Sequence, residues 1–219
     1  MYRRHPTRKP DSTMTITVYE RDLPEGLGFG SSVAIDTETL GLNPHRDRLC
    51  LVQLSAGDGN AHLVRIPIDP AGQVAAPHLK ALLANPAITK IFHFGRFDMA
   101  VLFHRLGVMP APVFCTKVAS KLARTYTDRH GLKDLCKELL GIELSKEQQS
   151  SDWGVGKLSP EQQSYAAADV LYLHRLKGVL ETMLAREQRS QLAQSCFDFL
   201  PTRARLDLAG WPEADIFAH

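Results

Sequence analysis

The chain has 219 residues, 44% of them hydrophobic, which is enough for one α/β domain whose core needs no disulfide or structural metal. Its formal net charge of +2 excludes the strongly basic balance of proteins that grip long nucleic acids through many phosphate contacts. A nucleic-acid ligand would therefore be short or bound locally.

The cysteines and the distribution of apolar residues indicate the compartment. The four cysteines are scattered, with no Cys-x-x-Cys pair or metal-finger spacing, as in a reduced cytosolic protein. No apolar run approaches the ~18 residues of a membrane span, and no apolar segment follows the N-terminal charges as in a signal peptide. We therefore predict a cytoplasmic protein with no membrane partner.

Residues 1–13 differ from the rest of the chain. They combine four Arg and Lys side chains with two prolines and almost nothing apolar, which predicts a disordered basic arm. Such an arm could contact nucleic acid or be an inert tail. Residues 14–219 are predicted to form a single domain.

Two patterns of apolar residues follow one another in that domain. Alternation bounded by Gly, Asp and Pro predicts successive strands, three of them joined as an antiparallel meander. Helix and strand patterns then alternate, as in α/β units. The predicted elements are strands at 16–18, 33–39, 49–54 and 62–66, a helix at 74–83, a strand at 88–94, a helix at 96–106, a short strand near 113, and helices at 116–124 and 132–140. We expect an α/β fold with a mixed sheet flanked by helices.

The last long helix has the clearest start signal. Ser159 is the expected N-cap, Pro160 occupies the first helical position, and Gln162 completes a capping box. This helix should run to about residue 186. The segment 196–217 is too apolar for a free tail, so we expect it to pack on the domain or on another subunit.

Two acids end the strand that begins at residue 33. Asp36 and Glu38 share one face of that strand, because side chains alternate across it, and Thr37 takes the other face. Alone, the pair could be a polar strand end leading into a loop. Two carboxylates on one face repel each other and lose hydration, and a cation such as magnesium or manganese relieves both effects.

Two further acids extend the apolar stripes of predicted helices. Asp98 and Asp169 are each in register with buried positions, which is costly unless hydrogen bonds or a cation neutralise them. Together with the first pair they make four carboxylates, which two divalent ions would balance, as in sites that cut phosphodiesters. Tyr165 lies one turn before Asp169 and, with an ordinary pKa near ~10, would orient a water rather than act as a base.

These acids occur in a familiar order. The chain resembles the tyrosine-bearing branch of the DEDD exonucleases through Asp36-x-Glu38, His93-x-x-x-x-Asp98 and Tyr165-x-x-x-Asp169. The segments 130–135, 151–153 and 165–170 resemble ribonuclease D catalytic domains, and 36–50, 125–131 and 215–219 are similar to the small nano-RNase C family. The resemblance implies a ribonuclease H-like fold, two Mg²⁺ or Mn²⁺ ions, removal of nucleotides from the 3′ end of dinucleotides and very short RNAs, and a homo-oligomer, dimer-based and up to an octamer.

The resemblance also implies roles for individual residues. Leu42 corresponds to a leucine that wedges between two bases, although it could equally be a loop residue that closes the core. Basic side chains next to the motifs could bind phosphate or be solvated surface charge. The residues expected to contact substrate, besides Leu42, are Thr37, His93, Arg96, Arg129, His130 and Lys133.

The sequence thus predicts a two-metal 3′-5′ exoribonuclease that hydrolyses short RNA, including dinucleotides, to nucleoside 5′-monophosphates. A DNA exonuclease of the same superfamily is an alternative, because such a metal site attacks phosphodiesters of either sugar. A non-catalytic RNA-binding module ranks lower, since all four acids and Tyr165 are present.

Overall fold

The computed structural model describes residues 14–67, 74–145, 147–148 and 151–219, and the basic arm predicted for 1–13 lies outside them. Six strands in the described part form one sheet. The elements in chain order are β1 Ile16–Glu20, β2 Ser32–Thr39, β3 Leu49–Ser55, β4 Ala61–Arg65, α1 Pro77–Ala84, β5 Thr89–Phe92, α2 Arg96–Leu106, β6 Val113–Cys115, α3 Thr116–Ala123, α4 Leu132–Leu135 with a π-helical continuation Cys136–Leu140, α5 Pro160–Leu171, α6 Leu173–Arg186 and α7 Ser190–Leu208.

The sheet is mixed, as the sequence predicts. Its strand order is β1-β4-β3-β2-β5-β6. The predicted meander is confirmed, because β2 pairs antiparallel with β3 and β3 with β4. Three pairings are parallel: β5 with β2, β6 with β5, and β1 with β4 at the edge. Every residue of β3 is buried, which fits a central strand covered on both faces.

Helices cover the sheet and enclose two apolar clusters. The larger cluster includes Val52 and Leu54 of β3. Leu51 of the same strand belongs to a smaller cluster, together with Ala166 of α5 and with Trp153 from the loop before α5. Alternate residues of one strand thus serve opposite faces. Helix α5 packs against β3 and β4, α3 packs against α6, and α7 packs against α2. None of the helices described is both long and apolar enough to span a membrane.

The C-terminal part differs from the prediction in two respects. The capping box of Ser159 and Gln162 is confirmed, but the single helix predicted to residue 186 is divided at Tyr172 into α5 and α6. The segment 196–217 is mostly helix, since α7 runs to Leu208, and its predicted packing on the domain is confirmed by the burial of Phe197 and Leu200. Neither Gly nor Pro occurs at 171–173, and the helical spacing of apolar residues continues through these positions. The sequence therefore gives no local signal of the break between α5 and α6.

Candidate active site

Three carboxylates meet where β2 and α5 come together. One oxygen from each of Asp36, Glu38 and Asp169 lies within 4.8 Å of the others. The strand alternation places the first two on one face, and α5 packs across β2 and brings the third. This is the convergence that the strand and helix registers predict for these three acids.

Asp98 approaches the same place from α2 but is not part of this group of three. It is buried, at 4% exposure, and its Oδ1 accepts a hydrogen bond of 2.6 Å from the Thr37 hydroxyl. Its charge is close enough to raise the pKa of Asp36. Thr37, predicted to contact substrate, is 7% exposed, lines the cavity beside the acids and holds Asp98 in place through this hydrogen bond.

Gln53 is a residue of the site that the sequence analysis missed. It pairs with Asp36 across β2 and β3, and its side-chain nitrogen donates to Glu38 at 3.3 Å and to Asp36 at 3.5 Å. Its Oε1 is buried with no hydrogen-bond partner in the described part of the chain. The single amide in the otherwise apolar run 49–54 was the available signal, but the neighbours of Gln53 depend on the strand register.

Burial and mutual repulsion govern the electrostatics of the cluster. Loss of hydration raises the pKa of Asp36 well above its usual range, and repulsion from Asp98, Asp169 and Glu38 raises it further. The pKa values of Glu38 and Asp169 are raised by burial first and then by neighbouring carboxylates. A divalent cation would remove this repulsion, and an all-oxygen donor set suits Mg²⁺ or Mn²⁺. The residues present therefore fit a divalent metal.

Tyr165 lies beside these acids on α5. Burial raises the pKa of its hydroxyl well above the ordinary value, and repulsion from Asp169, Glu38 and Asp36 raises it further. The hydroxyl therefore stays protonated at neutral pH and serves as a hydrogen-bond donor or acceptor, not as a base. Its ring packs against Trp153, with centroids 6.0 Å apart.

A cavity of about 580 Å³ opens above the three grouped acids, within the usual range for ligand sites. Its wall includes Leu42, His93 and Lys133, all predicted to contact substrate. Leu42 is 85% exposed, so the alternative that it closes the core is wrong. The cavity has the size of a site for a small ligand, and its lining combines the acids with Lys133.

Comparison with known proteins then identifies the family. Residues 15–185 match the 3′-5′ exonuclease family profile DNA_pol_A_exo1. The chain belongs to this family. A curated ribonuclease D from Acidiphilium cryptum is 38% identical over 157 residues, covering 72% of this chain. The matched region is 39% of that ribonuclease D, so this exonuclease chain spans about two fifths of the length of such relatives.

Solved structures place this exonuclease near one group within the family. Brucella melitensis NrnC bound to pGG is 62% identical, with a TM-score of 0.90 over 94% of this chain and 100% of that chain. The same protein with bound Mg²⁺ gives 61% identity and a TM-score of 0.88. Escherichia coli RNase D is 27% identical, with a TM-score of 0.70, and covers 84% of this chain and 48% of its own. These matches confirm the ribonuclease H-like exonuclease fold and the resemblance to ribonuclease D and nano-RNase C.

Three basic residues of this exonuclease that are predicted to contact substrate have partners within the chain. Arg96, Arg129 and His130 are not part of the described cavity wall. The Arg96 guanidinium contacts the Asp207 carboxylate in a two-pronged ion pair, and the Arg129 guanidinium contacts Asp134. His130 Nδ1 lies 2.8 Å from the Ser120 hydroxyl. Each of these side chains thus has a polar partner within the chain, and its contact with phosphate stays a prediction.

Proposed function

We propose that the chain is a two-metal 3′-5′ exoribonuclease that hydrolyses short RNA, dinucleotides included, to nucleoside 5′-monophosphates. The observation that carries this proposal is the group of three carboxylates within 4.8 Å of one another on the wall of a cavity that also exposes Leu42. The pGG and Mg²⁺ bound by Brucella melitensis NrnC support the same substrate class and metal.

Asp36, Glu38, Asp98 and Asp169 would hold the ions. Their four formal negative charges match two divalent cations, and carboxylate oxygens favour Mg²⁺ or Mn²⁺. When bound, such ions polarise the scissile phosphate and lower the pKa of the attacking water. Thr37 and Gln53 keep the carboxylates in position through the hydrogen bonds described above.

Other side chains would orient the reactants. The protonated Tyr165 hydroxyl can fix the position of a water next to the acids. Leu42, exposed on the cavity wall, can insert between the bases of the last two nucleotides, and Lys133 can contact a phosphate. A wedge in the same cavity as the acids would set the number of nucleotides held during each cut.

A time course with 5′-labelled RNAs of two to ten nucleotides tests the proposal. We expect each RNA to shorten one nucleotide at a time from its 3′ end, with dinucleotides converted to monophosphates. Chelation should stop the reaction, and Mg²⁺ or Mn²⁺ should restore it. Asp169→Asn is the inactive control, with circular dichroism to verify that it folds.

The same assay separates the alternatives. A DNA exonuclease would shorten deoxyribonucleotides at least as fast as the matched RNAs. A non-catalytic RNA-binding module would bind the RNAs and leave them intact with either metal. Internal cleavage, or no cleavage, would contradict the proposed activity.

A further inference from the structure

His93 follows β5 and lines the cavity that holds the acids. Its Nδ1 lies 2.9 Å from the hydroxyl oxygen of Thr116, the first residue of α3. The same hydroxyl donates to the Phe92 carbonyl oxygen at 3.1 Å. Thr116 is fully buried, so both hydrogen bonds are shielded from water.

This arrangement determines which nitrogen of His93 carries the proton. A threonine hydroxyl has one hydrogen, and Thr116 uses it on the Phe92 carbonyl, so the hydroxyl oxygen must accept from His93 Nδ1–H. Burial lowers the pKa of His93 to about 3, which keeps the ring neutral. The Nε2 atom is therefore a hydrogen-bond acceptor, and it has no partner among the residues that the structure describes.

The backbone around His93 restricts the direction of its ring. Phe94 adopts a left-handed conformation with φ of 65°, which is costly for a residue other than glycine. Gly95 leaves no space for a side chain, since a Cβ there would lie 2.6 Å from the Phe92 Cβ. The Lys117 ammonium lies 4.1 Å from the centre of the Phe94 ring. The two residues that follow His93 are thus conformationally constrained, and they limit how its backbone can turn.

We propose that His93 Nε2 accepts a hydrogen bond from a ribose hydroxyl of the 3′-terminal nucleotide and so selects for RNA. This rests on the function proposed above. A neutral acceptor needs a donor, and the phosphate beside the acids offers only acceptor oxygens. Two riboses are joined to that phosphate, and in a dinucleotide the 3′-terminal one carries two of their three free hydroxyls. An acceptor of this kind disfavours a substrate that lacks the hydroxyl.

The test combines one side-chain change with single-atom changes in the substrate. His93→Phe removes the acceptor and keeps a flat ring. Its kcat/KM is compared with that of the unmodified protein on pGG and on analogues lacking the terminal 2′- or 3′-hydroxyl. We expect His93→Phe to lower kcat/KM on pGG by about tenfold or more. On the analogue that lacks the contacted hydroxyl, the variant and the unmodified protein should have equal kcat/KM.

The two analogues identify which hydroxyl is bound. If the loss of kcat/KM caused by His93→Phe disappears on the 2′-deoxy analogue, His93 is a residue that favours RNA over DNA. Disappearance on the 3′-deoxy analogue assigns it to recognition of the chain end and overturns selection for RNA. An equal penalty on all three substrates overturns the contact altogether. Failure of the unmodified protein to cleave pGG would instead defeat the proposed function.

His62 provides the matched control. It is also a strand histidine whose Nδ1 lies near a hydroxyl, that of Tyr19 at 3.1 Å, but it is not part of the described cavity wall. His62→Phe should leave the ratios between the three substrates unchanged. Imidazole ¹⁵N shifts of the unmodified protein test the tautomer without any variant: a proton on Nδ1 supports the proposal, and a proton on Nε2 overturns it.

Discussion

Asp36 is partly buried next to three other carboxylates, and this placement costs stability as long as no cation is bound. Loss of hydration and repulsion both favour its protonated form. A site that holds such charges gives up stability for the ability to bind metal, which is a frequent compromise at active sites. The cost and the function can be separated by changing one atom of the side chain.

Asp36→Asn keeps the shape of the side chain and removes its charge. In the presence of a chelator, we expect the free energy of unfolding to rise by about 1–2 kcal/mol, because the repulsion with Asp98 and Asp169 disappears. Hydrolysis should be lost. Thermal unfolding with EDTA measures the first effect. Glu25→Gln, at an exposed loop position, should change stability by less than about 0.5 kcal/mol. A destabilised Asp36→Asn protein would contradict the argument.

Adding metal should reverse the relative stability of Asp36→Asn and the unmodified protein. Mg²⁺ should bind the native acid cluster and not the unfolded chain, so the melting temperature of the unmodified protein should rise with the logarithm of the Mg²⁺ concentration. Asp36→Asn should show a much smaller rise, since one ligand is lost. Differential scanning calorimetry across a magnesium series measures both. Equal shifts for the two proteins would place the bound metal elsewhere.

Tyr165→Phe removes one hydroxyl while leaving the ring against Trp153. The hydroxyl is expected to orient the attacking water, so kcat on short RNA should fall by about 100-fold. The stabilisation by Mg²⁺ should be retained, because no carboxylate changes. Single-turnover kinetics and the melting series separate the two effects. An unchanged kcat would remove Tyr165 from the reaction.

The loop between β2 and β3 presents Leu42 to the cavity in a fixed conformation. The Asp47 carboxylate accepts a hydrogen bond of 2.9 Å from the Asn43 backbone N–H and one of 2.7 Å from the Arg46 guanidinium. Gly41 packs against that carboxylate so closely that a Cβ would lie 2.3 Å from its Oδ2. The loop is therefore a turn built around Asp47, with Leu42 held at its exposed side.

Gly41→Ala should displace either the loop or Asp47 and so misplace Leu42. We expect kcat/KM on dinucleotides to fall by about tenfold, since misplacement of a positioning contact by a fraction of an ångström is enough. RNAs of ten nucleotides should lose less, because they make further contacts. Gly28→Ala is the matched control, as no atom lies within 4 Å of the added Cβ. Equal losses on both RNA lengths would argue against a wedge at this position.

Local signals predict most elements and the three grouped acids. The meander follows from alternation, the start of α5 from its capping box, and the shared face of Asp36 and Glu38 from the two-residue period of a strand. Features that depend on distant partners were not predictable. Gln53 joins the site through strand register, and Arg96 is engaged by Asp207, 111 positions away. The division at Tyr172 has no local sequence signal.

The C-terminal region connects the active site to the outer surface of the molecule. Asp207 in the last turn of α7 accepts hydrogen bonds from Arg96, at the start of α2, and from Arg203. Helix α2 carries Asp98, so this ion-pair group fixes the end of α7 to the helix that supplies one acid. The His45 ring also contacts the Leu208 carbonyl oxygen at 2.9 Å, which joins α7 to the Leu42 loop.

Beyond these contacts the chain exposes several apolar side chains. Phe199 on α7 and Phe217 in the final segment lie with ring centroids 6.2 Å apart and are 39% and 77% exposed. Trp211 and Ile216 in the same segment are also exposed. Exposed apolar groups gathered in this way are typical of contact surfaces between subunits. They are the structural feature on which the predicted homo-oligomer can be tested.

Phe199→Ser combined with Phe217→Ser should lower the molar mass measured by light scattering, because an interface formed by these rings would lose its apolar contacts. The monomer fold should persist, since neither ring belongs to the buried core. Leu192→Ser, at a 54% exposed position near the other end of α7, should leave the mass unchanged. If the double variant keeps the mass of the unmodified protein, subunits do not assemble through this surface. If Leu192→Ser lowers the mass as much as the double variant does, the whole exposed side of α7 contributes.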